Sequence, residues 1–194
     1  MKRLKTRQSS LGWLTHSHKQ TLLKFARKTI QQFLVEQPLP PAEHSDPELN
    51  RKQGAFVTLL KEDQLRGCVG HVKDDLPIHE VVGLMALQSA FNDHRFAPLT
   101  IDELSQVEIE ISVLSLFKKI KRIDQIELGR DGVSLIIRDH HAVFLPEVPL
   151  RMGWDTEQLL DRLSNKMGLP EKSWKRNSKL YVFQTEVFRE SDYQ

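Results

Sequence analysis

The chain has one cysteine in 194 residues. That excludes an internal disulfide. No CxxC, HExxH or EF-hand loop is present, so no metal ligand set of recognised spacing occurs, and neither metal nor cofactor is expected. GxGxxG, P-loop and GxSxG motifs are also missing, which argues against ordinary nucleotide sites and serine-hydrolase sites. The longest apolar runs fall far short of the ~20 residues of a membrane span. The basic N-terminus has no apolar stretch of the kind a secretory signal needs. There is no low-complexity tract and no internal repeat. A lone cysteine fits a reducing compartment, and the expected location is cytoplasmic, with no membrane partner.

What remains is enough for a globular core: 39% apolar residues, including nine phenylalanines. The net charge of +2 is unevenly spread. Residues 1–35 hold eight cations (Lys2, Arg3, Lys5, Arg7, Lys19, Lys24, Arg27 and Lys28) and no acid, leaving 20 basic against 26 acidic side chains beyond them. A basic arm over residues 1–17 is expected, followed by a basic helix face. Such a segment binds phosphate backbones by counterion release. It serves equally as a solubilising terminus, and no aromatic stacking set or nucleic-acid motif accompanies it. Nucleic acid is therefore not the expected partner, although a non-catalytic adaptor or nucleic-acid-associated role stands as the alternative function.

Apolar spacing predicts a helix from about His18 to Glu36, ended by Pro38. A Pro-rich loop covers 38–50. Gly54 to Leu60 and Leu65 to His71 read as a hairpin across Lys61–Gln64. Pro77 opens a helix to about Asn92, with Gly83, Ala86 and Ala90 small enough for a close neighbour. Thr100 can cap a short helix at Ile101–Leu104. Val107 to Leu116 alternates as a half-buried strand. A basic cluster follows at Lys118, Lys119, Lys121 and Arg122. Two short strands lie near Val133–Arg138 and Ala142–Leu145, closed by Pro146 and Pro149. Asp155 caps a helix that stops at Gly168. Leu180 to Phe188 is the last strand, with apolar groups on both faces. Strands and helices without a regular βαβ beat indicate α+β, mostly antiparallel sheet with flanking helices.

The grouping that packing alone does not explain is Leu65-Arg66-Gly67-Cys68-Val69-Gly70-His71. Glycine lets another backbone or a ligand come close, and an arginine beside a thiol favours the thiolate. On a regular strand Arg66, Cys68 and Gly70 share one face and Gly67, Val69 and His71 the other, so His71 does not meet Cys68 unless a bulge intervenes. A free cysteine is also commonly a small buried hydrophobe. As bases for the thiol, His94 and His79 are the candidates. Arg66 and Arg95 form the expected anion-facing pair, with Asp93 orienting one of them; a structural ion pair is the plainer account of the same residues. Glu108 and Glu110, two apart on a strand, can split their pKa values as acid and base, or simply cover a solvated face. Trp13, Trp154 and Trp174 are anchors or core aromatics.

The chain resembles the AMMECR domain family. The resemblance rests on Leu65–Gly70, on Phe91-Asn92-Asp93-His94-Arg95-Phe96-Ala97-Pro98-Leu99 and on Glu108–Ser115. It continues in Gly129–Val133, Phe144–Pro149, Gly153-Trp154-Asp155 and Lys166-Met167-Gly168-Leu169, and spans roughly residues 20–190. Two departures are His71, where the family has threonine, and Ser164, where many relatives have a second cysteine. The resemblance implies one domain over 18–190. Its larger lobe comes from both ends (about 18–117 and 174–190) and its smaller lobe from about 118–173. It implies a place beside Memo-like and radical-SAM proteins in an AmmeMemoRadiSam-type system; one cysteine is too few for this chain to be the radical-SAM member. It also raises the weight on Cys68. The expected function is a groove at Arg66, Gly67, Cys68 and Gly70, bordered by Asp93, His94, Arg95, Glu108 and Glu110. That groove would take a small anionic or peptide-like ligand, with cysteine-dependent activity left open.

Overall fold

The computed structural model describes residues 12, 14–41 and 44–193. Most of the expected basic arm, and Trp13, lie outside the described residues. The chain forms two compact units, one from Ser10–Leu114 with Glu186–Gln194, the other from Ser115–Thr185.

In the first unit, α1 (His16–Leu34) starts on a capping box between Thr15 and His18 and buries Leu22, Leu23, Ala26 and Ile30. It packs beside α2 (Ile78–Phe91), where Gly83 matters: a Cβ there would sit 2.7 Å from the Phe25 ring. Four strands form the sheet in the order β2 (Gln64–His71), β1 (Ala55–Lys61), β3 (Val107–Leu114) and β8 (Thr185–Arg189). β1 runs antiparallel to both β2 and β3. The β1–β2 turn places Glu62 and Asp63 both at positive φ, the backbone that matches strand twist in a two-residue hairpin. Ala55, Val57, Leu59, Ile109, Ile111, Val113 and Phe188 face the helices as one core. The short α3 (Ile101–Leu104) forms where expected, but Thr100 makes no side-chain cap. The basic face of α1 is half neutralised: Lys19 pairs with Glu186 at 2.6 Å and Arg27 with Glu190 at 2.5 Å.

In the second unit the sheet order is β4 (Lys118–Ile120), β7 (Ser178–Phe183), β5 (Gly132–Ile137) and β6 (His140–Phe144), all antiparallel. The basic cluster thus contributes an edge strand. Helix α5 (Thr156–Lys166) has the expected Asp155 cap, completed into a box by Gln158, and covers Val133, Leu135, Leu180 and Val182. Trp174 belongs to this core and donates to Asp161 at 2.7 Å; Trp154 packs against it and beside Phe144.

Two further expectations fail. Pro146 and Pro149 do not merely close the preceding strand, because α4 (Glu147–Met152) forms there. Proline in a first turn forfeits no intrahelical bond and arrives with helical φ. The final strand also does not run unbroken over Leu180–Phe188. It divides at Gln184, so that β7 joins one sheet and β8 the other. Leu180 and Val182 bury in one core and Phe188 in the other.

Candidate functional site

β2 is an edge strand, and its outward backbone at Cys68 is fully engaged. The Cys68 N–H donates to Asp93 Oδ2 at 2.9 Å, and Arg95 Nη2 donates to the Cys68 carbonyl at 3.1 Å. Asp93 holds Arg95 by a fork, Nε to Oδ1 at 2.9 Å and Nη2 to Oδ2 at 2.6 Å. Asp93 is buried, at 6% exposure, while Arg95 is exposed. The Arg95 guanidinium holds the Asp93 carboxyl well below the usual carboxylate range; the Cys68 and Arg95 N–H groups add to this, and burial opposes it. The loop after α2 thus closes a sheet edge that would otherwise stay open for pairing.

The Cys68 side chain lies in a polar row across the sheet. Thr58 stands opposite it on β1, and Glu110 stands opposite Thr58 on β3. Thr58 Oγ1 donates to the sulfur at 3.3 Å, and Arg189 from β8 donates to Glu110 at 2.5 Å. Burial pushes the Cys68 thiol up from its ordinary pKa, against the opposing pull of Thr58 and Arg95. The expectation that Arg66 lowers it does not hold. Arg66 is spent on Glu103, by a fork at 2.7 and 2.9 Å, and on the Ala97 carbonyl. It also falls where the β1–β2 register slips, with Leu59 facing Gly67 and Leu60 facing Leu65, so Arg66 itself has no residue opposite. Its Nη1 is buried without a hydrogen bond among the described residues. Phe96 lies under both guanidinium groups, 5.8 Å from Arg66 and 5.5 Å from Arg95.

The two glycines have separate steric reasons. A Cβ on Gly67 would fall 2.2 Å from the Ser89 carbonyl oxygen of α2, and one on Gly70 would fall 2.2 Å from the Phe56 ring. The close approach at Gly67 lets the Ser89 hydroxyl enter the ladder: it accepts from the Val69 N–H at 2.9 Å and donates to the Val57 carbonyl at 2.7 Å.

Cys68, Asp93 and Arg95 are therefore in direct contact, with Glu110 one strand beyond Thr58. Arg66 is adjacent but committed elsewhere. Glu108 accepts from the Ser191 N–H and lines a different cavity of about 470 Å³ with Lys24, Ser105 and Tyr193, so the two glutamates have separate partners. His94 is exposed, with no hydrogen bond to Cys68 among the described residues. His79 is buried against Phe25, ring centroids 3.5 Å apart, and His71 pairs with Asp75. Among the described residues no group of three or more His, Cys, Asp or Glu side chains is placed to hold a metal ion.

The AMMECR1 family model matches residues 23–188. The chain belongs to the AMMECR1 family. A protein of Methanocaldococcus jannaschii is 33% identical, covering 87% of this chain and 88% of its own, and one of Thermococcus onnurineus is 35% identical over the same shares. The crystal structure of an uncharacterised protein from Pyrococcus horikoshii aligns with a TM-score of 0.84 and 32% identity, over 92% of this chain and 94% of that one. This AMMECR1 protein thus has the expected α+β fold with helices and antiparallel sheets. No helix among its described residues is long and apolar enough to cross a membrane.

The residues missed from sequence are Thr58, Ser89, Phe96, Glu103 and Arg189. Thr58 carried a signal, as the one hydroxyl inside an otherwise apolar strand. Glu103 and Arg189 carried none, because salt-bridge partners on other elements leave no local pattern.

Proposed function

We propose that the surface at Cys68 is the binding site of this AMMECR1 protein for a small anionic or peptide-like ligand, with the thiol as its reactive group. One observation carries the reading: Asp93 and Arg95 grip both backbone polar groups of Cys68, which holds a guanidinium beside a half-buried thiol. Asp93 uses one edge of that guanidinium, and Nη1 makes no hydrogen bond among the described residues. Arginine presents a planar donor edge that suits a carboxylate or phosphate. Because the Cys68 N–H and carbonyl are already taken, a peptide does not add there as a further strand and binds through its carboxylates or side chains. The protein is proposed to work with Memo-like and radical-SAM partners in an AmmeMemoRadiSam-type system, a reading supported by its family membership.

The test is protection of Cys68 from iodoacetamide by a panel of small carboxylates, inorganic phosphate and short acidic peptides, read by intact mass. Saturable protection that disappears in Arg95→Gln is expected. Labelling that no anion slows, in either protein, sinks the proposal.

A further inference from the structure

The second sheet offers a surface that the Cys68 site does not use. No aspartate or glutamate occurs in β4, β5, β6 or β7. One face of the sheet buries Ile120, Leu135, Leu180 and Val182 beneath α5. On the opposite face the register aligns Lys119, Tyr181 and Ser134 in one row and Lys179, Ile136 and His141 in the next. Lys119, Lys179 and His141 are exposed, and Tyr181 between the two lysines is half-buried. The chain leaving β4 adds Lys121 and Arg122, which with Lys119, Ile120 and Gln125 line a concavity of about 500 Å³. Arg122 pairs with Asp124, whereas Lys119, Lys121 and Lys179 form no ion pair among the described residues.

We propose that this sheet face binds a segment of single-stranded nucleic acid, with phosphates on Lys119, Lys121 and Lys179 and one base stacked on Tyr181. Unbalanced cations select a polyanion. The aromatic ring in their midst selects one with flat, unpaired bases, since an acidic peptide gains nothing from it and a duplex keeps its bases inside.

The experiment is fluorescence anisotropy on the full chain with a labelled oligouridylate of about 12 nucleotides, within the range of known single-strand sites. Three phosphate contacts predict a slope of about −2 in log affinity against log salt. The triple variant Lys119→Glu, Lys121→Glu and Lys179→Glu should weaken binding by more than about thirtyfold. Tyr181→Ala should weaken it about tenfold, and Tyr181→Phe should restore it, because the ring alone does the stacking. Absence of binding at ~50 mM salt overturns the proposal. So does loss of binding on changing Lys2, Arg3, Lys5 and Arg7 to glutamine while the sheet variants bind normally. Equal binding of poly-glutamate, indifferent to Tyr181→Ala, overturns it in favour of an acidic protein partner.

Discussion

Replacing Gly67 with alanine tests the account of the site's foundation. The added methyl would lie 2.2 Å from the Ser89 carbonyl oxygen, where real contacts stay beyond 3.0 Å. That oxygen is backbone within α2 and no rotamer moves it, so the helix must retreat from β2 by roughly 1 Å, an overpacking strain of about 1–3 kcal/mol. The retreat also pulls the Ser89 hydroxyl away from Val69 and Val57, whose bonds at 2.9 and 2.7 Å have little slack. Two buried backbone groups then lose their partner, at about 1–3 kcal/mol. The expected total is about 2–6 kcal/mol, read by urea unfolding with the slope unchanged. Gly70→Ala is the control. Its methyl meets the Phe56 ring, a half-buried side chain that can swing aside, at about 1–2 kcal/mol. If Gly67→Ala lies within about 1 kcal/mol of the parent, or matches Gly70→Ala, the close-approach argument is wrong.

Asp93→Asn should destabilise by about 2–3 kcal/mol at neutral pH, because a charge-assisted grip on Arg95 and Cys68 is lost. Asp93 has a folded pKa below its unfolded value of ~3.9, so its contribution is complete above that pH and fades as pH falls further. The gap between parent and variant should stay constant from pH 7 to about 4.5 and close below about 4; a gap that closes near neutrality contradicts this. Alkylation of Cys68 should show a pH midpoint above the ordinary thiol value of about 8.5, and Arg95→Gln or Thr58→Val should move it higher. A midpoint below the ordinary value, or one unmoved by either variant, rejects the balance of burial against Thr58 and Arg95. Asp155→Ala should cost about 1 kcal/mol by removing the α5 cap, measured by urea unfolding, and Asp155→Asn or Asp155→Ser should recover most of it.

Much of the architecture was legible because it rests on local physics. Alternation in Val107–Val113 reports a strand with one buried face, the spacing of Leu22, Leu23, Ala26 and Ile30 reports a helix stripe, and Asp155 marks a helix start. The signature at Leu65–Gly70 was legible as a place where backbones approach closely. The sequence also placed Asp93 and Arg95 near Cys68, since a loop following a helix that follows a strand tends to fold back onto it.

Tertiary structure decided the rest. Alternation runs unbroken through Gln184, since Leu180, Val182 and Phe188 are separated by even numbers of residues, so the period cannot reveal that the strand changes sheets there. Whether Arg66 or Arg95 attends the thiol depended on Glu103, 37 residues from Arg66, which captures the nearer cation and leaves the farther one to Cys68. The direction of the thiol's pKa depended on burial beneath neighbouring elements, a property that no residue next to Cys68 in the chain encodes. Periodicity and capping are written in neighbouring residues, whereas ion-pair choice, sheet membership and desolvation are settled only when distant segments compete for the same space.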